Sequence, residues 1–335
     1  MPDTAVVTAS AVHKSYGDIA VLKGLDLQIE RGEVFALLGP NGAGKTTTIQ
    51  ILSGFRSPTG GTVRVLGEEP WHAGPRWRAR IGLVPQRTGS FDELGVRELV
   101  AHFATFYPHS RPVDEVLESV GLAGKAKARA STLSGGQQRR LDIALGVVGD
   151  PDLVFLDEPT TGLDPSARRQ TWNLVEELAA SGTTILLTTH YLDEVEALAD
   201  RVALLDDGRV CEIATPAALG GRARSQTRIT FRRGTVLAGV DLPRGLADVA
   251  QDVILAPDAA GTVTVSTATP TAALDLLIGW ARTHGVAELE ELTAARLSLE
   301  DIYLRLTGGP PGGPGSTAGP AAGPATGPAG GSDHA

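Results

Sequence analysis

The stretch VFALLGPNGAGKTTT at positions 34–48 restricts what this chain can fold into more than any other feature. The apolar run ahead of the glycines reads as a buried strand, and a helix is predicted to open near Lys45. Between them, Gly39, Pro40, Asn41, Gly42, Ala43, Gly44, Lys45 and Thr46 match the phosphate-loop pattern G-x-x-x-x-G-K-[ST] in full. Gly39, Gly42 and Gly44 let the backbone turn tightly and bring successive N–H groups against a polyphosphate. The following helix points the positive end of its dipole at the same anion. Lys45 can reach the outer phosphates, and the Thr46 hydroxyl can ligate Mg²⁺. The plain alternative is a glycine-rich strand–helix turn with no ligand; the flanking pattern favours a nucleotide site.

A chain of 335 residues with 42% hydrophobic content suits two domains, or one large domain with an appendage. Its net charge of −9 argues against a general nucleic-acid binder, which carries a basic surplus. Cys211 is the sole cysteine, so an internal disulfide is ruled out and a reducing compartment fits. The opening MPDTAVVTAS has no basic region followed by an apolar run, and no stretch approaches the roughly 18 consecutive apolar residues needed to span a bilayer. The expectation is a soluble cytoplasmic protein.

Residues 5–35 read as strands separated by turns. Within them Tyr16 is either a stacking face for adenine or a half-buried strand tyrosine. Residues 61–66 suggest a strand pair, and a basic, aromatic stretch follows over 71–80. Ile81 to Val84 form a short apolar strand ahead of Gln86, an amide placed to ligate Mg²⁺ or position water. From about residue 91 to 148 the pattern is helical, with Val96, Leu99, Val100, Phe103 and Phe106 at helix spacing, then Val113, Val116, Leu117 and Val120. Inside this region stands LSGGQ at 133–137, followed by Gln138, Arg139 and Arg140. Ser134 is a natural N-cap, and Gly135 and Gly136 leave N–H groups exposed at a helix start. That is a second anion-binding tip, or a plain capped helix. The strand Leu153-Val154-Phe155-Leu156 runs into Asp157 and Glu158, and charges at the end of a buried strand are costly unless used. Asp157 suits Mg²⁺; Glu158 suits the attacking water, as base or orienter. A turn carrying Asp164 leads into a helix to about residue 180. The strand over 184–189 ends in His190, placed to contact a γ-phosphate, and Asp207-Gly208 predicts a hairpin.

Taken together these residues resemble the ATP-binding subunit of ABC transporters, over about residues 4–219 and in the family's motif order. The phosphate loop runs from Gly39 through Thr47, the glutamine loop centres on Gln86, and LSGGQ stands unaltered. Asp157 ends the Mg²⁺ strand with catalytic Glu158 beside it, Gly162-Leu163-Asp164 is the D-loop, and His190 is the switch histidine. The resemblance implies an α/β P-loop NTPase: a RecA-like core, an antiparallel β layer and a helical subdomain carrying the signature. It also implies ATP and Mg²⁺ as cofactors, with each ATP held between one copy's phosphate loop and the other copy's Ser134, Gly135, Gly136 and Gln137. With all catalytic residues intact, both sites of such a homodimer should hydrolyse. The remaining expected partner is a separate membrane permease, with the chain peripheral on the inner face of the membrane and no nucleic acid bound.

Residues 222–307 read as a small α+β C-terminal domain after a cassette over 1–221, and the Gly/Pro/Ala-rich stretch 308–335 as a disordered tail. Strands are expected over 227–231, 252–255 and 262–266, a helix over 271–283, and a capping box at Ser298 to Asp301 opening a last helix. The ending SLEDIYLRLTG resembles that of drug-resistance ABC ATPases of the daunorubicin exporter class. The leading expectation is therefore the energy-coupling subunit of an exporter. A soluble ABC ATPase acting in translation or DNA repair is the alternative. It would carry two cassettes or a long coiled-coil insert, and fewer than about a hundred residues separate Lys45 from Ser134. A small-molecule P-loop kinase would have no use for LSGGQ.

Overall fold

The computed structural model describes residues 5–86, 93–224, 227–255, 261–296 and Tyr303. β1 (Ala5–Tyr16) and β2 (Ile19–Glu30) pair antiparallel across a tight turn. β3 (Val34–Leu38), buried at every residue, leads into α1 (Lys45–Leu52). The strand pair expected over 61–66 is instead one strand, β4 (Gly60–Val65), lying antiparallel on β1. Six residues are too few to fold back on themselves, and Val63 and Val65 bury only with a partner already in place. In α2 (Pro75–Arg78), Trp77 is buried and donates its indole N–H to the Val65 carbonyl at 2.7 Å, so the basic, aromatic stretch supplies core. β5 (Ile81–Val84) follows, ending two residues before Gln86.

In α3 (Val96–Ala104) and α4 (Val113–Ser119) the helical spacing places Val96, Leu99, Val100, Val116 and Leu117 in the core. Phe106 departs from it and is 65% exposed. After Ala104 the chain tightens to i→i+3 bonds, Phe106 N–H to the Phe103 carbonyl among them, and the 3.6-residue register is lost. Next come α5 (Gly135–Val147), β6 (Leu153–Asp157), α6 (Pro165–Ala180), β7 (Thr184–Thr189) and α7 (Leu192–Leu198). β8 (Arg201–Asp206) and β9 (Arg209–Ala214) form the predicted hairpin, turning on Asp207 and Gly208, whose φ angles of 43° and 74° are those of a type I′ turn.

These strands form a six-stranded sheet in the order β5-β6-β7-β3-β8-β9, parallel except for β9. The near-continuous apolar runs of β3, β6, β7 and β8 follow from burial on both faces. Alternate residues of each strand enter different cores: Ala36, Leu156, Leu187 and Leu204 pack with α3 to α7, while Phe35, Phe155, Leu186 and Ala203 pack with α1 and the three-stranded layer β2-β1-β4.

The later strands are β10 (Thr227–Arg232), β11 (Asp252–Leu255), β12 (Thr262–Thr267) and β13 (Glu290–Arg296), in an antiparallel sheet of order β11-β12-β10-β13. The short α8 (Leu246–Val249) and the longer α9 (Pro270–Thr283) cover it. Leu277 and Trp280 of α9 share a third core with Ile229, Phe231, Val263 and Val265. β13 was not anticipated, because EELTAAR has one bulky apolar residue and no alternation to reveal it. The expected capping box at Ser298 and the stretch 308–335 lie outside the described residues; Tyr303 packs against the core of α3 to α7. No helix among the described residues is long and apolar enough to cross a membrane.

Candidate active site

Parallel strands place their C-terminal ends on one edge of a sheet, where connecting loops converge. Here that edge carries the loop after β3, Gln86 beyond β5, Asp157 and Glu158 at the end of β6, and His190 just after β7. They surround a cleft of about 630 Å³. Asn41, Gly42, Gly44, Lys45, Thr46, Thr47, Gln86, Glu158 and His190 line it, as the sequence pattern anticipates. Val21 and Thr161 also line it, and no motif marks either. Gly39, Pro40 and Ala43 complete the loop behind that surface.

The loop glycines divide by role. Gly42 and Gly44 have φ of 85° and 107°, in the region that disfavours side chains. Gly39 has no such φ; a Cβ there would stand 2.3 Å from the Leu205 carbonyl oxygen, so β8 itself excludes a side chain. Lys45 is buried at 5% exposure, its ammonium donating to the Gly39 and Pro40 carbonyls at 2.9 and 3.2 Å, with Glu158 Oε1 at 3.5 Å. The loop thus fixes the cation's head group rather than leaving it to sample solvent.

Asp157 Oδ1 accepts from the Thr46 hydroxyl at 3.3 Å and from the Thr188 hydroxyl at 2.6 Å. The Thr188 hydroxyl also accepts from the Glu158 backbone N–H at 3.0 Å, so β7 sets both acidic residues. Thr188 belongs to no motif; its one signal in the sequence is a polar residue directly after the apolar run of its strand. Glu158 has φ of 47°, left-handed backbone that costs a non-glycine residue about 1–3 kcal/mol and persists where the surroundings enforce it. Glu158 Oε2 accepts from the Gln86 amide at 2.9 Å and the Thr161 hydroxyl at 3.2 Å; His190 Nδ1 lies 3.6 Å from Oε1.

Ser134, Gly135, Gly136 and Gln137 are absent from this cleft's lining. Ser134 caps α5 in a reciprocal box: its hydroxyl accepts from the Gln137 N–H at 3.4 Å, and the Gln137 side chain accepts from the Ser134 N–H at 3.0 Å. Further along α5, the buried Arg139 guanidinium donates to the carbonyls of Pro85, Asp157 and Pro159 at 2.7, 2.9 and 2.8 Å. Burial pushes its pKa below the usual guanidinium range against the opposing charges of Asp142, Asp157 and Glu194. A buried charge is tolerated when its donors are used, and these three carbonyls use them. Beneath the site, burial raises the Glu194 carboxyl although Thr160 and Trp172 donate to it at 2.9 and 3.1 Å. Tyr16 stands at the end of β1, 37% exposed, outside the cleft lining, with Lys14 and Arg56 cations 5.3 and 5.2 Å from its ring centre.

This arrangement matches known proteins at several levels. The ABC transporter family model matches residues 22–161, and the model for the C-terminal domain of ABC transporter domain-containing protein-like chains matches 227–298. The Daunorubicin resistance ATP-binding protein DrrA3 of Streptomyces coeruleorubidus is 36% identical over 321 residues, 92% of this chain and 97% of that one. The Nod factor export ATP-binding protein I of Cupriavidus pinatubonensis is 44% identical over 211 residues, 62% of this chain and 65% of that one. Among solved structures, an ATP-binding cassette captured as a dimer after hydrolysis, with ADP and Pi, is 26% identical with a TM-score of 0.57, covering 63% of this chain and 98% of its own. With a relative aligned over nearly its whole length and a phosphate loop, acidic strand end and histidine gathered in one cleft, the chain belongs to the ATP-binding subunits of ABC transporters, a family of ATPases.

Proposed function

We propose that this chain is the energy-coupling subunit of an exporter, acting as a head-to-tail pair of copies on a separate membrane permease that expels a drug or another hydrophobic compound. The observation that carries the proposal is a separation. Lys45, Thr46, Gln86, Glu158 and His190 share one cleft, while the capped tip of α5 stands outside it. A helix N-terminus with small residues suits a phosphate, and a second copy related by a two-fold axis can bring one to it, giving two equivalent sites. Support also comes from the similar cassette solved as a dimer and from relatives named for drug resistance and Nod factor export. In the same reading residues 1–221 form the cassette, 222–307 a small α+β domain and 308–335 a tail, with the chain at the inner face of the membrane.

The described residues suit Mg²⁺ by their donors. Thr46 Oγ1 and Asp157 Oδ1 already lie 3.3 Å apart, and hard oxygen ligands few in number are what this cation takes beside nucleotide phosphates. Gln86 is the third candidate ligand. Mg²⁺ bound there supplies neutralisation of phosphate charge. Lys45 adds a fixed positive charge at the outer phosphates, and the Gly42 and Gly44 backbone lets N–H groups approach them. Glu158, oriented by Gln86 and Thr161, receives or directs a proton of the attacking water, and His190 contacts the γ-phosphate. Tyr16 offers a π-face to adenine. ATP drives closure of the pair only through its greater affinity for the closed state.

The reading is tested in cells that carry this chain with its permease, loaded with daunorubicin as a fluorescent probe. Glu158→Gln should abolish energy-dependent efflux while the protein remains present at its normal level. Efflux at the wild-type rate would set the exporter reading aside.

A further inference from the structure

His190 lacks the contact that ordinarily fixes an imidazole. Its Nδ1 is buried with no hydrogen-bond partner among the described residues, and the Glu158 carboxylate is 3.6 Å away, beyond a good hydrogen bond. A ring so placed can rotate about χ1 and χ2 unless packing stops it. Packing comes from the next residue. The Tyr191 ring lies 4.1 Å from the His190 ring, centre to centre, tilted by 40°. The Arg168 guanidinium carbon lies 4.4 Å from the centre of the Tyr191 ring, inside the range where a cation and an aromatic face attract. Arg168 Nε is buried and donates to nothing among the described residues, so that nitrogen draws the guanidinium to no acceptor away from the aromatic face, and the same charge also acts on Glu194.

Both ends of this stack are anchored. The Thr189 hydroxyl accepts from the Tyr191 N–H at 2.9 Å, a local turn that holds His190 between the end of β7 and the start of α7. Arg168 sits in the first turn of α6, its N–H donating to the Asp164 carbonyl at 2.9 Å; Asp164 caps that helix through the Ser166 and Ala167 N–H groups. The stack therefore ties the helix that begins at Asp164 to the histidine beside Glu158.

We propose that Tyr191, braced by Arg168, is a positioning residue that sets the His190 ring at the cleft, so that displacement of the start of α6 is felt at His190. The inference rests on the proposed role of His190 in hydrolysis. Neither Tyr191 nor Arg168 lines the cleft, and both act through the imidazole.

The test uses the full-length chain labelled at its histidines, with the His190 ring signals assigned by their loss in His190→Ala. Tyr191→Leu should lower kcat for ATP about tenfold with KM changed less than about twofold, the pattern of a misplaced reacting group rather than lost binding. Tyr191→Phe keeps the aromatic face and should retain wild-type turnover. Arg168→Gln, which does not touch His190, should shift or broaden the His190 ring signals and lower kcat in the same direction. His190 signals unmoved in Arg168→Gln, or Tyr191→Phe as impaired as Tyr191→Leu, would overturn the proposal. Wild-type turnover in His190→Ala would instead remove the role of His190 in hydrolysis, and the ring signals in Arg168→Gln would still decide whether the stack places that ring.

Discussion

Lys45 and Glu194 are both buried ionisable groups, and their surroundings give them opposite uses. Lys45 faces the cleft with two carbonyls orienting its ammonium, so its charge is presented to a ligand at fixed geometry. Lys45→Ala should lower kcat/KM for ATP by about 10²–10³-fold, the usual cost of one fixed donor to developing charge. Circular dichroism should show the fold retained, and turnover near wild type in the purified variant would contradict the assignment. Glu194 is fully buried, and desolvation raises its carboxyl pKa, partly opposed by hydrogen bonds from Thr160 and Trp172 and by the Arg168 charge. A carboxyl raised on folding holds its proton in the native state where the unfolded chain has lost it. Its contribution is then most favourable below the unfolded value, about 4.3, and declines as pH rises through the raised one. Glu194→Gln has no proton to lose. Its urea midpoint should therefore gain on the wild type as pH rises from about 4 to 7, and a difference that stays flat with pH would refute the assignment.

At the scale of elements, the phosphate loop shows what the sequence can and cannot display. A strand, three glycines and a helix start are local features, so the extent of β3 and the start of α1 were legible from the pattern itself. The N-cap at Ser134 and the Asp207-Gly208 hairpin were legible for the same reason, whereas the return bond from Gln137 that completes a capping box there was not read from the sequence. What brings Gly39 against Leu205 is the pairing of β3 with β8, two strands far apart in the chain, and nothing local encodes it. The partners of Thr188 and Arg139 are likewise not encoded locally, since Thr188 bonds across to β6 and Arg139 reaches from α5 to carbonyls at and just beyond the ends of β5 and β6. β13 does not stand out because it has one bulky apolar residue and no alternation, and the extent of β4 is hidden because its partner, β1, is remote. Gly39→Ala tests the long-range contact. Its Cβ would meet a backbone carbonyl that cannot rotate away, so β8 or the loop must shift, at about 1–3 kcal/mol of stability. A lower urea midpoint together with weaker ATP binding is expected; an unchanged midpoint would mean that β8 does not hold the loop.

At the scale of the whole molecule, the N-terminal tip of the signature helix lies outside the lining of its own cleft, and the proposed pair of copies would bring a phosphate to it. Glu158→Gln and Ser134→Arg examine that together. Glutamine has nearly the volume of glutamate and can still meet the Gln86 amide, so the variant should bind ATP while hydrolysis stops. Loss of a carboxylate facing the γ-phosphate removes like-charge repulsion from the closed pair, which should then accumulate as an ATP-bound dimer on size-exclusion chromatography. Ser134 has no part in its own chain's cleft, so Ser134→Arg added to Glu158→Gln should leave binding to the phosphate loop intact. In the pair, however, the large side chain would project where the other copy's phosphates must sit and should return the protein to monomers. Loss of the Ser134 cap costs about 0.5–2 kcal/mol of helix stability on its own. Ser134→Ala is therefore the control, since it removes the same cap with no added bulk and should still dimerise in the Glu158→Gln background. A Ser134→Arg double variant that dimerises with ATP as readily as Glu158→Gln alone would place the tip of α5 away from the nucleotide and refute the head-to-tail arrangement.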